Sequence, residues 1–102
     1  MLNLNDLAEQ SGIIARKRGL DTDVVSTLKH CTGEVVEATQ AYTRMFCATS
    51  PNYAEACKEE TGLELADIII CALTASSTLG IDIEECINEA MLKNANRAYE
   101  GW

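Results

Sequence analysis

Two pairs of acids stand three residues apart in this chain, Glu34-Val35-Val36-Glu37 and Glu64-Leu65-Ala66-Asp67. Side chains three apart on a helix lie close together on one surface. Both pairs fall in long segments whose apolar residues recur with helical period, so each acid surface borders or interrupts a face meant for burial. Ionised carboxylates are rarely buried unless something compensates them, and a divalent cation can do so. Four carboxylates without nitrogen or sulfur partners favour Mg²⁺, or Mn²⁺, over zinc or copper. Mg²⁺ keeps several waters and is commonly completed by substrate phosphates. The chemistry expected of Glu34, Glu37, Glu64 and Asp67 is therefore metal-assisted displacement at phosphorus. A di-iron bundle would need Glu-x-x-His pairs, and the sequence has none.

Each acid also has a blander reading. Thr61 and Glu64 match a capping box, and Glu34 with Glu37 could be a solvated helix face. Taken together the pairs point the other way, because they lie on the two longest helical segments, which antiparallel packing would bring together. Cations are scarce, so their placement carries information. Lys93, Asn94 and Arg97 close the last helical segment, where they either compensate the helix dipole or clamp a polyphosphate. Arg16-Lys17-Arg18 could touch phosphate, but reads first as the capped, basic end of a helix.

Four helices must position these groups. The first is expected from about Asn5 to Lys17, capped by Asn3 or Asn5 and closed by Gly19. The second opens at Asp21 or Thr22 and runs to about Phe46. Its apolar stripe is Val24, Leu28, Cys31, Val35, Ala38, Tyr42 and Met45, with Glu34 at the edge and Glu37 further round. Ser50 and Pro51 mark a restart. A short polar helix is then expected to stop at Gly62, before a third main helix over about Leu63 to Leu79 that ends at Gly80. The fourth starts with the capping box Asp82-Ile83-Glu84-Glu85 and ends near Asn96.

Composition bounds the rest. A chain of 102 residues suits one domain, and 47% hydrophobic content argues against disorder. Aromatics at 5% and a single proline fit helices better than strands. A net charge of -8 argues against a nucleic-acid polymer as ligand. The five cysteines show no C-x-x-C spacing and the only histidine is His30, so neither a disulfide framework nor a thiolate zinc site is expected. The start of the chain has no signal-peptide pattern, and the longest apolar run, Ile68 to Leu73, is too short to span a membrane. These features suggest a reduced, cytoplasmic protein. The apolar faces of the second and third helices exceed what a small lone bundle covers, so a homo-oligomer is expected.

The order of motifs resembles the MazG-like all-α nucleoside triphosphate pyrophosphohydrolases. The resemblance spans about residues 24 to 99 and is carried by Gly33-Glu34-x-x-Glu37-Ala38, Glu64-Leu65-Ala66-Asp67, Gly80-Ile81-Asp82 and Lys93-Asn94-x-x-Arg97-x-Tyr99. It implies an all-α, four-helix bundle assembled as a dimer or dimer of dimers. It further implies Mg²⁺ held by Glu34, Glu37, Glu64 and Asp67, one of which orients or deprotonates the attacking water. Lys93, Asn94 and Arg97 would contact phosphates and Tyr99 would lie near base or sugar. The implied reaction cleaves the α–β phosphate bond of a nucleoside triphosphate, giving monophosphate and pyrophosphate. The chain departs from many members at Cys31 and Leu63, where they carry acids, at Ala90, where they carry lysine, and at Ala98, where they carry proline. These departures motivate the alternative of a non-catalytic module that binds nucleotide or metal.

Overall fold

The fold is set by four helix starts whose caps are all written in local chemistry. The computed structural model describes residues 3 to 100, and side chains from 3 to 97. Helix α1 spans Leu4–Lys17, α2 Val24–Cys47, α3 Pro51–Leu79 and α4 Ile83–Glu100. The all-α class and the four expected helices are present, with no strand among the described residues. Asn3, not Asn5, caps α1, its side-chain oxygen accepting from the Asp6 N–H at 2.7 Å. Asp23 caps α2 and Ser50 caps α3, with Pro51 in the first turn. Gly80 ends α3 in the left-handed region (φ +67°), donating its N–H back into the last turn. Asp82 accepts from the Glu85 N–H at 3.1 Å and starts α4.

Three expectations are corrected. The chain does not break at Gly62: α3 runs through it without interruption. Gly62 costs up to about 1 kcal/mol relative to alanine in a helix interior, which continuous packing along α2 outweighs. Thr61 is accordingly no cap, and its hydroxyl donates to the Cys57 carbonyl one turn back, at 2.7 Å. Helix α4 also continues past Asn96 to Glu100.

Helices α2 and α3 form a long antiparallel pair. The register is fixed by the Arg44–Glu60 ion pair (2.8 Å), the Cys31 thiol over the Ile68 carbonyl (4.0 Å) and the Thr78 hydroxyl on the Thr22 carbonyl (2.7 Å). Along α2 the covered positions are Thr27, Cys31, Glu34, Ala38, Ala41 and Met45. Along α3 they are Ala54, Cys57, Thr61, Glu64, Ile68 and Cys71. Spacings alternate between three and four in both, a coiled-coil seam. The α2 stripe expected from sequence is therefore rotated: Leu28, Val35 and Tyr42 face outward, and Glu34 stands within the seam.

Helix α1 also packs on α3, and the consecutive residues Leu73, Thr74, Ala75 and Ser76, which point all round α3, are buried in this bundle. The approach is close at Gly12, where an added Cβ would sit 2.9 Å from the Ser77 hydroxyl. Helix α4 is held by its first turn. Asn5 donates to the Asp82 carboxylate and accepts from the Ile83 N–H, both at 3.0 Å, while the Glu84 carboxylate accepts from the Leu4 N–H at 2.8 Å. Beyond that turn, positions 88 to 97 are exposed.

The interior is built from small residues, and no large side chain is fully buried among the described residues. Large apolar side chains such as Val35, Tyr42, Leu65 and Ile69 face outward. The chain exposes 7536 Å², against about 5,700 Å² for a compact monomer of its mass. Its radius of gyration is 16.4 Å, against about 13 Å for a compact chain of this length. By length and composition α3 is apolar enough to cross a membrane. Its apolar stretch nevertheless carries Glu64 and Asp67, and packs along α1 and α2.

Candidate metal centre

Midway along the α2–α3 seam, the antiparallel register sets Glu34 against Glu64, between the covered positions Cys31 and Ile68 on one side and Ala38 and Thr61 on the other. Glu37, one turn further along α2, joins them. Carboxylate oxygens of the three residues lie within 4.8 Å of one another. The Glu34 side chain retains 12% of its accessible surface, and its Oε1 lies 3.1 Å from His30 Nε2. Its other oxygen, Oε2, is buried without a hydrogen-bond partner, and so is Oε2 of Glu64. Buried polar atoms are nearly always satisfied, so two orphaned oxygens at one place need an explanation.

The electrostatics follow from the crowding. The carboxylate of Glu34 pushes the Glu64 carboxyl up to about 7, with burial as the second cause and Glu37 as the third. Near neutral pH the pair accordingly holds a proton between its members unless a cation replaces it. The donor set is oxygen only, which suits a hard divalent ion.

Asp67 does not join the three-acid group. It lies one turn beyond Glu64 and opens onto a cleft of about 510 Å³ bounded by α1, α2 and α3. Glu34 borders the same cleft and connects the acid group to it. Ile14, Leu20 and Ile70 supply apolar wall, and His30 and Arg18 stand at its rim. The expected four-acid set is thus split into a cluster of three and a single acid facing open space.

The expected phosphate contacts stand elsewhere. Lys93, Asn94 and Arg97 are exposed on α4 and do not line the cleft. The Tyr99 side chain lies outside the described residues. Two polar cleft residues, His30 and Arg18, stand outside the expected site set. His30 stands four before Glu34, the helical spacing for contact, and that spacing was legible. Arg18 was read as part of a helix terminus, and nothing local distinguishes it from Arg16 and Lys17.

No protein-family model matches this chain, and no curated protein or solved structure proves similar to it.

Proposed function

We propose that this chain is a Mg²⁺-dependent nucleoside triphosphate pyrophosphohydrolase of MazG-like type, working in the cytoplasm as a homo-oligomer on free nucleotides. The single observation that carries the reading is the pair of buried, unpartnered carboxylate oxygens of Glu34 and Glu64 beside an open cleft. The order of sequence motifs and the all-oxygen donor set support it further. Glu34, Glu37 and Glu64 would hold the metal, which when bound neutralises phosphate charge and acidifies water. Asp67 is left free to accept the proton of a water attacking the α-phosphorus. The bond to the bridging oxygen then breaks, and pyrophosphate leaves with the electron pair.

Three groups of facts favour self-association. The exposed surface exceeds that of a compact monomer by about 1,800 Å², and large apolar residues face outward from the small-residue seam. Val35, Tyr42 and Leu65 also line a shallow groove on the α2–α3 pair. Two protomers each covering that excess would bury about 3,700 Å² in total, within the range of permanent interfaces. In such an assembly Lys93, Asn94 and Arg97 of one protomer are free to approach the acids of another, which would restore their expected role on phosphate.

Incubation with a panel of nucleoside and deoxynucleoside triphosphates and Mg²⁺, with pyrophosphate detection, tests the activity. Turnover in the wild type and its loss by 10²- to 10⁴-fold in Asp67→Asn, the usual range for a lost general base, is the expected result. Silence across the panel would sink the hydrolase reading. One observation favours the non-catalytic alternative. Cys31, one turn before Glu34, is a partly covered seam residue over the Ile68 carbonyl, so the acid many family members carry there is missing. That alternative expects a nucleotide to raise the melting temperature without being consumed.

A further inference from the structure

Among the lysines and arginines, Arg18 alone lines the cleft beside the acids, at the C-terminal end of α1. Arg18 follows the last residue of α1. Its backbone is pinned there by an N–H bond to the Ile14 carbonyl (3.0 Å) and by Gly19, whose φ of +74° turns the chain away and whose N–H bonds the Arg16 carbonyl. This fixes the Arg18 stem on the cleft wall with Ile14 and Ala15. Arg16 and Lys17, in the last turn of the same helix, do not line the cleft.

Of the eight lysines and arginines, Arg44 alone has a carboxylate partner among the described residues, and Arg18 is set apart from the others by lining the cleft rather than by lacking a carboxylate. The nearest acid in sequence is Asp21, and it also lines the cleft. Both of its oxygens are engaged, one by the Asp23 N–H at 3.1 Å and the other by the Ser26 hydroxyl at 3.3 Å. Asp21 is thereby committed to holding the start of α2. The ion pairs among the described residues are His30–Glu34 and Arg44–Glu60, so the Arg18 guanidinium has no acid partner. A fork of N–H donors thus stands free over a cleft of about 510 Å³, a size typical of small-molecule sites.

The cleft is divided in a way that describes its ligand. Glu34 and Asp67 make one part acidic, a place for a cation or a cation-bound group. Ile14, Leu20 and Ile70 make another part apolar, and each is about half exposed at 54%, 48% and 48%. A dication on the acids would invert the local field and draw anionic oxygens in. Planar guanidinium matches phosphate oxygens two at a time, which neither a lysine nor a neutral donor reproduces.

We propose that Arg18 is the anion anchor of this cleft, gripping phosphate oxygens of a magnesium-chelated polyphosphate ester whose ring portion lies against Ile14, Leu20 and Ile70. The proposal rests on the pyrophosphohydrolase reading for its substrate class, and assigns to α1 a contact that sequence order assigned to α4. Calorimetric titration of Mg²⁺-loaded protein tests it, with α,β-methylene nucleoside triphosphates as one probe and inorganic pyrophosphate as the other. The variants are Arg18→Ala, Arg18→Lys and, as a control on helix-end charge, Lys17→Ala. Arg18→Ala is expected to weaken binding by about tenfold or more, the usual loss for a charge-assisted hydrogen bond. Arg18→Lys should recover part of it, and Lys17→Ala should stay within about twofold of wild type, as expected of a screened surface charge. Binding of Mg²⁺ alone and the melting temperature should be the same in Arg18→Ala and wild type, which separates ligand contact from a structural role.

The proposal is overturned if Arg18→Ala binds both probes as wild type does, or if Lys17→Ala loses as much as Arg18→Ala. If wild type binds pyrophosphate but none of the nucleotide analogues, the nucleotide reading fails. Arg18 is then judged by the same comparison on pyrophosphate. If wild type binds neither probe, the anchor is refuted as well.

Discussion

Replacing Glu64 by glutamine removes the group that the seam forces to keep a proton, and the consequences can be worked out in advance. The Glu64 carboxyl is pushed from an ordinary 4.5 up to about 7 by Glu34, burial and Glu37. Below pH 4.5 it is protonated folded or unfolded. Between 4.5 and about 7 the folded chain holds a proton that the unfolded chain has released, so stability falls as pH rises through that window and levels off above it. At pH 6 the folded state binds about 0.9 proton more than the unfolded state at this one site. Asp23 and Asp82 lie outside the window, because hydrogen bonds from Ser26 and from Asn5 hold their carboxyls below the ordinary 3.8.

Two measurements read this out. In EDTA, the melting temperature of wild type should fall between pH 5 and 7.5, and the profile of Glu64→Gln should lack that decline. On adding Mg²⁺, the ion should displace the shared proton, releasing about 0.9 proton per chain at pH 6 and only about 0.1 at pH 8. Calorimetry in buffers of different ionisation enthalpy counts those protons. A wild-type melting temperature that is flat or rises over pH 5 to 7.5, or a Glu64→Gln profile parallel to wild type, would refute the shared-proton account. Mg²⁺ binding with no proton release at pH 6 would separate the ion from this site.

Other consequences are simpler. Asn5→Ala removes hydrogen bonds to Asp82 and the Ile83 N–H; a loss of about 1–2 kcal/mol is expected, as for a helix cap, visible as a lower midpoint in urea unfolding. Gly62→Ala should raise stability by about 0.5–1 kcal/mol, because Gly62 is a helix-interior residue with nothing within 4 Å of an added Cβ. Gly12→Leu should instead lower it by about 1–3 kcal/mol through overpacking against Ser77, and circular dichroism melts of the two glycine variants should move in opposite directions. Equilibrium sedimentation at micromolar concentration should find an oligomer, and Tyr42→Glu with Leu65→Glu should shift it toward monomer. A wild-type monomer would count against the proposed assembly.

What could be read from sequence divides along physical lines. The starts of α3 and α4 were legible because caps are local: Ser50-Pro51 and Asp82 act within one turn of themselves, whereas α2 is capped by Asp23 and not by the expected Asp21 or Thr22. The supposed break at Gly62 failed because a propensity cost of about 1 kcal/mol is small beside seam packing over a 29-residue helix. The buried face of α2 was misplaced for a different reason. Hydrophobic periodicity is dominated by the large residues Leu28, Val35 and Tyr42, which face outward, whereas the seam takes Thr27, Glu34 and Ala41 beside the Cys31, Ala38 and Met45 that the expected stripe already contained. The acid motifs lie on α2 and α3, and three of the four acids meet. The offset of Asp67 and the freedom of Arg18 depend on which side of α3 receives α1, a tertiary fact with no local signature. The position of Lys93 and Arg97 likewise depends on where α4 points, and its own sequence does not say.

The exchange of caps between α1 and α4 bears on how the chain is made. Leu4 and Asn5 emerge during synthesis well before their partners Asp82, Ile83 and Glu84, which lie 77 to 80 residues further along the chain. The α2–α3 hairpin, built from contacts close in sequence, can form while synthesis is still under way, as local contacts close fastest. At that stage the first turn of α1 lacks the Glu84 acceptor for its Leu4 N–H. The clasp therefore orders the steps: α4 acquires its direction after the α2–α3 hairpin, when its first turn meets that of α1.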